Sequence, residues 1–254
     1  KPRMPRLADP SLAVESTLSN PTASTILKKH AKNAKTACIL ICDITRPVPN
    51  SLILGPIIRK LMTLGIQSEQ ITILIATGLH RPNEGKELEE LIGDPWVLEN
   101  TKVENHFARD DSAHIEVGTT KKGNRILLDR RFVSADVRIV TGLVEPHFMA
   151  GYSGGRKVIA PGVAHAETIT TFHSARYMED PLATNCNLDG NPLHEDQLEI
   201  VEMVGGALAM NVVIDEFRNL SFINFGEIIS SHLEAVAFIR KYAEVKVPRR
   251  FKTV

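Results

Sequence analysis

What this sequence has little of narrows the field first. Acidic and basic residues balance at 30 each, so the one-sided positive field of a nucleic-acid binder is missing and a small or neutral partner is expected. Cysteine is scarce: Cys38, Cys42 and Cys186 make an odd set, with one i, i+4 pair inside an apolar run. That reads as buried thiols in a reducing compartment and not as a disulfide frame. No apolar stretch approaches the ~18 residues that span a bilayer, and residues 1–10 lack the apolar segment of a secretion signal. A soluble, cytoplasmic protein without a membrane partner is the expectation. Internal repeats and low-complexity tracts are also missing. So are the phosphate-binding signatures: Arg156 stands where a Walker loop needs glycine before its lysine, and no G-x-G-x-x-G fingerprint opens a helix.

What is present has the rhythm of strands and helices. Residues 1–34 mix Pro, Ser, Ala and Lys without a sustained period and read as an extension with one helix lying over the body. Ala37-Cys38-Ile39-Leu40-Ile41-Cys42 is a short continuous apolar run, the pattern of a strand buried on both faces. After a loop, Asn50 and Ser51 are N-cap candidates for a helical stretch carrying Leu52, Ile53, Ile57, Ile58, Leu61 and Leu64, closed by Gly65. The unit repeats as an apolar run at 71–76, a polar loop at 77–82 and a charged helix at 84–92. A third strand is predicted at 137–143, with weaker candidates at 102–105 and 125–128. Helices are predicted at 166–176 and 192–203, a terminal β-hairpin at 208–214 and 220–225, and a closing helix at 232–242. The fold class is therefore α/β, a mainly parallel sheet covered by helices on both faces in a three-layer, Rossmann-like arrangement. The division is an extension at 1–34, an α/β domain at 35–244 and a basic linker at 245–254 leading towards a further domain.

In such sheets ligands gather beyond the carboxyl ends of the strands, so the loops starting at Asp43, Thr77 and Val144 are predicted to face one site. The first, Asp43-Ile44-Thr45-Arg46-Pro47-Val48-Pro49-Asn50, is stiffened by two prolines. Arg46 either grips a carboxylate or phosphate with its planar fork, or pairs with Asp43 to shape the loop. The second, Thr77-Gly78-Leu79-His80-Arg81-Pro82, places His80 just past a buried strand, as a general base near neutral pH or as a cap bonded to backbone. The third, Pro146-His147-Phe148-Met149-Ala150-Gly151-Tyr152-Ser153-Gly154-Gly155-Arg156-Lys157, is dense in glycine beside cations. It reads as a backbone cradle for an anion, or as a glycine-rich turn with two solvated cations. His173, on the helix that follows, reads on its own as an ordinary surface or core histidine.

Those three segments, together with Pro161-Gly162 and Gly190-Asn191-Pro192-Leu193-His194-Glu195, resemble the lactate racemases that use a nickel-pincer nucleotide, over roughly residues 35 to 200. The resemblance implies a racemase or epimerase of a small 2-hydroxy acid, lactate-like. Its cofactor is a pyridinium-3,5-bisthiocarboxylic acid mononucleotide holding nickel, attached covalently at Lys157 with His173 as the protein ligand to nickel. It further implies His80 and His147 as the acid/base pair, Arg46 and Asp43 as substrate-binding groups, and Thr45, Ser153, Gly154, Gly155 and Arg156 as cofactor-binding residues. Proteins of cofactor biosynthesis are partners by the same implication. Relative to that family the strand ahead of the first motif is absent and the second α/β domain is not reached, so a fragment is expected. Two other readings stand beside it: a non-catalytic anion- or metal-binding module, and a hydrolase using His80, His147 and a divalent metal bound by Asp43.

Overall fold

The computed structural model describes residues 3–23 and 32–245. Helix α1 (Pro10–Ser19) is capped by Asp9, whose carboxylate accepts the Leu12 N–H, and has proline at its first position. It buries Val14 and Leu18 against the body. The predicted linker lies almost wholly outside the described residues.

Strand β1 (Ala37–Cys42) shows how the apolar run becomes a central layer. Ala37, Ile39 and Ile41 pack into a core on one face; Cys38 and Leu40 pack into a second core on the other. The first core receives Ile53, Leu54, Ile57, Ile58 and Leu61 of α2 (Asn50–Thr63). The second receives residues further along the chain, among them Phe132, Ile159, Ile169 and Ile200. Each fully buried Leu or Ile contributes roughly 1.5–3 kcal/mol relative to exposure, and a strand covered on both sides collects that from successive residues.

The six-stranded sheet runs β10-β9-β6-β1-β2-β3, with β2 at Ile71–Ala76, β3 at Lys102–Asn105, β6 at Val137–Leu143, β9 at Leu208–Ile214 and β10 at Leu220–Glu227. All neighbours are parallel except β9 and β10, which form the predicted terminal hairpin. The chain builds outward from β1 through β2 to β3, then returns to the other side of β1 for β6 and β9. Strand order therefore reverses at β1, which places a crevice between the loops leaving β1, β2 and β6.

Several boundaries differ from the sequence reading. The candidate strand at 125–128 forms as β5 (Arg125–Asp129), but it pairs antiparallel with β4 (His114–Thr119) in a separate ribbon and not in the main sheet. The helix at 166–176 is two short ones, α7 (Ala166–Phe172) and α8 (Ala175–Met178). The break falls at His173, whose ring takes the Ile169 carbonyl at 2.8 Å, and at Ser174, whose ψ of 158° is extended. Asn50 is not the cap of α2 but its first residue; its side chain is buried and donates to the Leu91 carbonyl. The closing helix α10 (Ile228–Ala243) starts four residues earlier than predicted, because Glu227 caps it through the N–H groups of Ile229 and Ser230.

Candidate active site

The loops leaving β1, β2 and β6 close around a cavity of about 410 Å³. Asp43, Thr45 and Arg46 reach it from the first loop, His80 from the second, and Lys157 and His173 from the segments after β6; Ser153 and Gly154 also line it. His147, Gly155 and Arg156 do not.

His80 sits on a tight turn in which its N–H bonds the Thr77 carbonyl at 2.9 Å, with Gly78 at φ +55° and its N–H on the Gly162 carbonyl. Of the two roles left open for it, backbone capping does not occur. Its Nδ1 lies 2.6 Å from Asp43 Oδ2, and a carboxylate only accepts, so Nδ1 carries the proton and Nε2 offers a lone pair. The His80 ring is 62% exposed while Asp43 is 6% exposed, so the pair has a solvated tip on a fixed root. Thr45 completes that root, donating both its N–H and its hydroxyl to Asp43 Oδ1. Arg46 does not pair with Asp43 as the loop-shaping alternative required. Its guanidinium bonds Glu145, two positions before His147, a residue for which no motif marked a role.

His147 is held in the opposite sense. Its Nδ1 accepts the N–H groups of Met149 at 3.2 Å and Ala150 at 3.1 Å, and its ring stacks on Phe148. A neutral ring so held carries its proton on Nε2. Burial, and then the positive charges of Lys157 and Arg46, push its pKa down to about 3.

The glycine-rich segment separates into two parts. Ser153 is a staple: its hydroxyl donates to the Leu143 carbonyl at 2.7 Å and accepts the Glu145 N–H at 3.1 Å. Gly154 and Gly155 both have positive φ, and a Cβ at Gly155 would stand 2.9 Å from the His232 ring. The alternative of two solvated cations fails for Arg156, which is 2% exposed and turned into the protein. There its guanidinium donates to His194 Nδ1 at 2.7 Å and to the carbonyls of Tyr152 and Ala150. Lys157 points the other way, into the cavity. Burial, with Arg46 next, pushes its pKa down to about 8, so roughly a fifth is neutral amine near physiological pH, far more than for an ordinary lysine. Cys42 lines the same cavity, with its thiol pushed up to about 11 by burial.

His173 ends α7. Its Nδ1 donates to the Ile169 carbonyl at 2.8 Å, which leaves Nε2 as the nitrogen with a lone pair on an exposed ring at the cavity.

Residues 1–185 match the family described as the lactate racemase N-terminal domain. The chain is 32% identical over 232 residues to lactate racemase of Lactiplantibacillus plantarum, and 32% identical over the same length to that of Thermoanaerobacterium thermosaccharolyticum. Each alignment takes in 91% of this chain and 54% of the relative, so the chain spans about half the length of the curated relatives it matches. Its fold superposes on the lactate racemase apoprotein of Thermoanaerobacterium thermosaccharolyticum with a TM-score of 0.87 and 29% identity, covering 95% of this chain and 57% of that one. A protein from Thermotoga maritima shares the fold at a TM-score of 0.72 and 21% identity, over 92% and 58% of the two chains.

Proposed function

The chain belongs to the lactate racemase N-terminal domain family, and we propose that it is the cofactor-bearing half of an enzyme that racemises or epimerises a small, lactate-like 2-hydroxy acid. In this reading a nickel-pincer nucleotide is joined to Lys157 and its metal is bound by His173.

The residues present fit such a group. The Lys157 amine has no hydrogen bond to any described residue, and its lowered pKa supplies the neutral form that a covalent amide-type link requires. His173 offers one imidazole with its tautomer fixed from behind, and imidazole suits nickel. Among the described residues no three His, Cys, Asp or Glu side chains converge to hold a metal, which favours a metal arriving with most of its donors over the hydrolase reading. When bound, the group supplies a reversible acceptor for the substrate's α-hydrogen and its electron pair, sparing the site a second negative charge beside the carboxylate.

The chain's own residues then have separable tasks. Arg46 grips the substrate carboxylate with its planar fork, exchanging Glu145 for the incoming anion. His80 takes the hydroxyl proton at Nε2, and Asp43 holds the ring and stabilises the imidazolium that forms. His147 is the acid/base group for the opposite face, serving the substrate oxygen as the α-hydrogen returns to the carbon there, and that return inverts the centre. The observation that carries the reading is the meeting of Lys157, His173 and the Asp43–His80 pair at one cavity, from segments distant in the chain.

Racemisation of a panel of 2-hydroxy acids by the full-length, cofactor-loaded protein tests it. His80→Ala and His147→Ala are each expected to lose about a hundredfold or more in kcat while nickel content holds; unchanged turnover in both overturns the pairing. Arg46→Lys is expected to raise KM, because a point charge does not reproduce a bidentate fork. An unaltered KM removes the clamp.

A further inference from the structure

Away from the cavity, three histidines that no step above uses stand in file beneath the His80 turn. His106, directly after β3, is 1% exposed; His114, which opens β4, is 5% exposed. Their Nε2 atoms are 2.9 Å apart. His165 packs edge-on against His114 at 5.0 Å between ring centroids and bonds Asp111 on its outer side.

The hydrogen bonds fix where the protons lie. His114 Nδ1 is 2.7 Å from the Asp110 carbonyl, which only accepts, so a neutral His114 is protonated at Nδ1 and offers a lone pair at Nε2. His106 must then donate from its own Nε2. Two neutral imidazoles joined by one proton make a directed bond in a buried place, where any other arrangement leaves a polar atom unpaired. Burial pushes the His106 pKa down to about 4, which keeps the ring neutral; Asp129, Arg131 and His165 are the charged or titratable neighbours that face it.

The backbone carries this bond into the active site. The His106 carbonyl accepts the Thr77 hydroxyl at 2.6 Å, and the His106 N–H bonds the Ile75 carbonyl at 3.1 Å, the same carbonyl that the Thr77 N–H takes at 2.9 Å. Thr77 in turn holds the His80 N–H. A direct path therefore runs from the His114 ring through the His106 ring and backbone to Thr77 and the turn that aims His80 at Asp43.

We propose that His106 and His114 are a buried positioning pair whose ring-to-ring hydrogen bond sets the orientation of the His80 turn. The proposal rests on the reading of His80 as the proton-transferring group. Neither histidine touches substrate; they act through Thr77.

The test compares His106→Gln, whose amide N–H keeps a donor towards His114, with His106→Leu in the full-length, cofactor-loaded protein. The leucine variant is expected to lose between about 10- and 100-fold in kcat with KM within about twofold; glutamine is expected to hold kcat within about threefold. A second readout needs no cofactor. The ring nitrogen NMR signals of His80 are expected to show a single Nδ1–H tautomer in the unsubstituted protein and in His106→Gln, and a tautomer mixture in His106→Leu. Should His106→Leu not fold, His114→Ala carries the same two expectations. A leucine variant with unaltered kcat and an unaltered His80 tautomer overturns the pair. Absence of racemisation in the unsubstituted loaded protein sinks the proposed function instead, and the NMR comparison still decides the positioning.

Discussion

His80 and His147 present their neutral protons at opposite ring nitrogens, and the cause in each case is the group behind the ring: a carboxylate for one, two backbone N–H groups for the other. The proposed pair is thus unsymmetrical at rest, with His80 poised to accept and His147 to donate. Asp43→Asn is expected to lower kcat of the loaded full-length protein by about a hundredfold, because an amide no longer stabilises the imidazolium or selects its tautomer. Turnover within twofold of the original would remove Asp43 from the mechanism. Lys157 gives a second expectation at this scale. With its pKa pushed down to about 8, its modification by an amine-reactive acylating reagent reaches half-maximal rate near pH 8; a midpoint in the ordinary lysine range contradicts the burial and the Arg46 charge as causes. The convergence of Asp43, His80, Lys157 and His173 on one cavity was legible in the sequence, because three of them follow strands whose apolar runs were unmistakable and the resemblance supplied the fourth. The Arg46–Glu145 bond was not, since it joins residues 99 apart in the chain and neither motif marks the other. Nor was the inward turn of Arg156: an arginine beside a lysine in a glycine-rich loop reads as solvated until His194 and two carbonyls are seen to receive it.

The strands and long helices were the readable elements, since a run such as 37–42 buried on both faces has few other fates. The short elements were not. Helix α7 stops at His173, whose ring and N–H share the Ile169 carbonyl, and β5 pairs with β4 in a ribbon outside the main sheet through contacts that no local pattern encodes. The glycine-rich segment is demanding at this scale too. Gly155 combines φ of +49° with ψ of −124° and lies against His232, so Gly155→Ala is strained twice over. It is expected to destabilise the protein by about 1–3 kcal/mol, read as a lower midpoint in chemical denaturation. An unchanged midpoint would show that the segment accommodates a side chain and that its glycines serve something other than close packing.

At the level of the whole molecule, the reversal of strand order at β1 makes the crevice, and the histidines packed around it give the fold its acid sensitivity. His106 is pushed down to about 4, and His147 and His194 to about 3, each from near 6.5 and each chiefly by burial. Between those values the unfolded chain binds more protons than the folded one, so stability rises with pH across the interval and is lost as pH falls from about 6.5 towards 4 and below. The denaturation midpoint at pH 5 is therefore expected to lie below that at pH 7, and equal midpoints would contradict the buried, neutral state of these rings. The α/β class, the covered parallel sheet and the terminal hairpin were all predicted. The reversal at β1 that gathers the three loops was not, because strand order is a long-range property.

The most direct test of the whole account is the intact mass and nickel content of the full-length protein purified from a cell that makes the cofactor, followed by peptide mapping. A nucleotide-sized adduct is expected on the peptide containing Lys157, with about one nickel per chain, and both are expected to be lost when Lys157 is replaced by alanine in a protein that still folds. A fully active racemase whose Lys157 carries no adduct would contradict it.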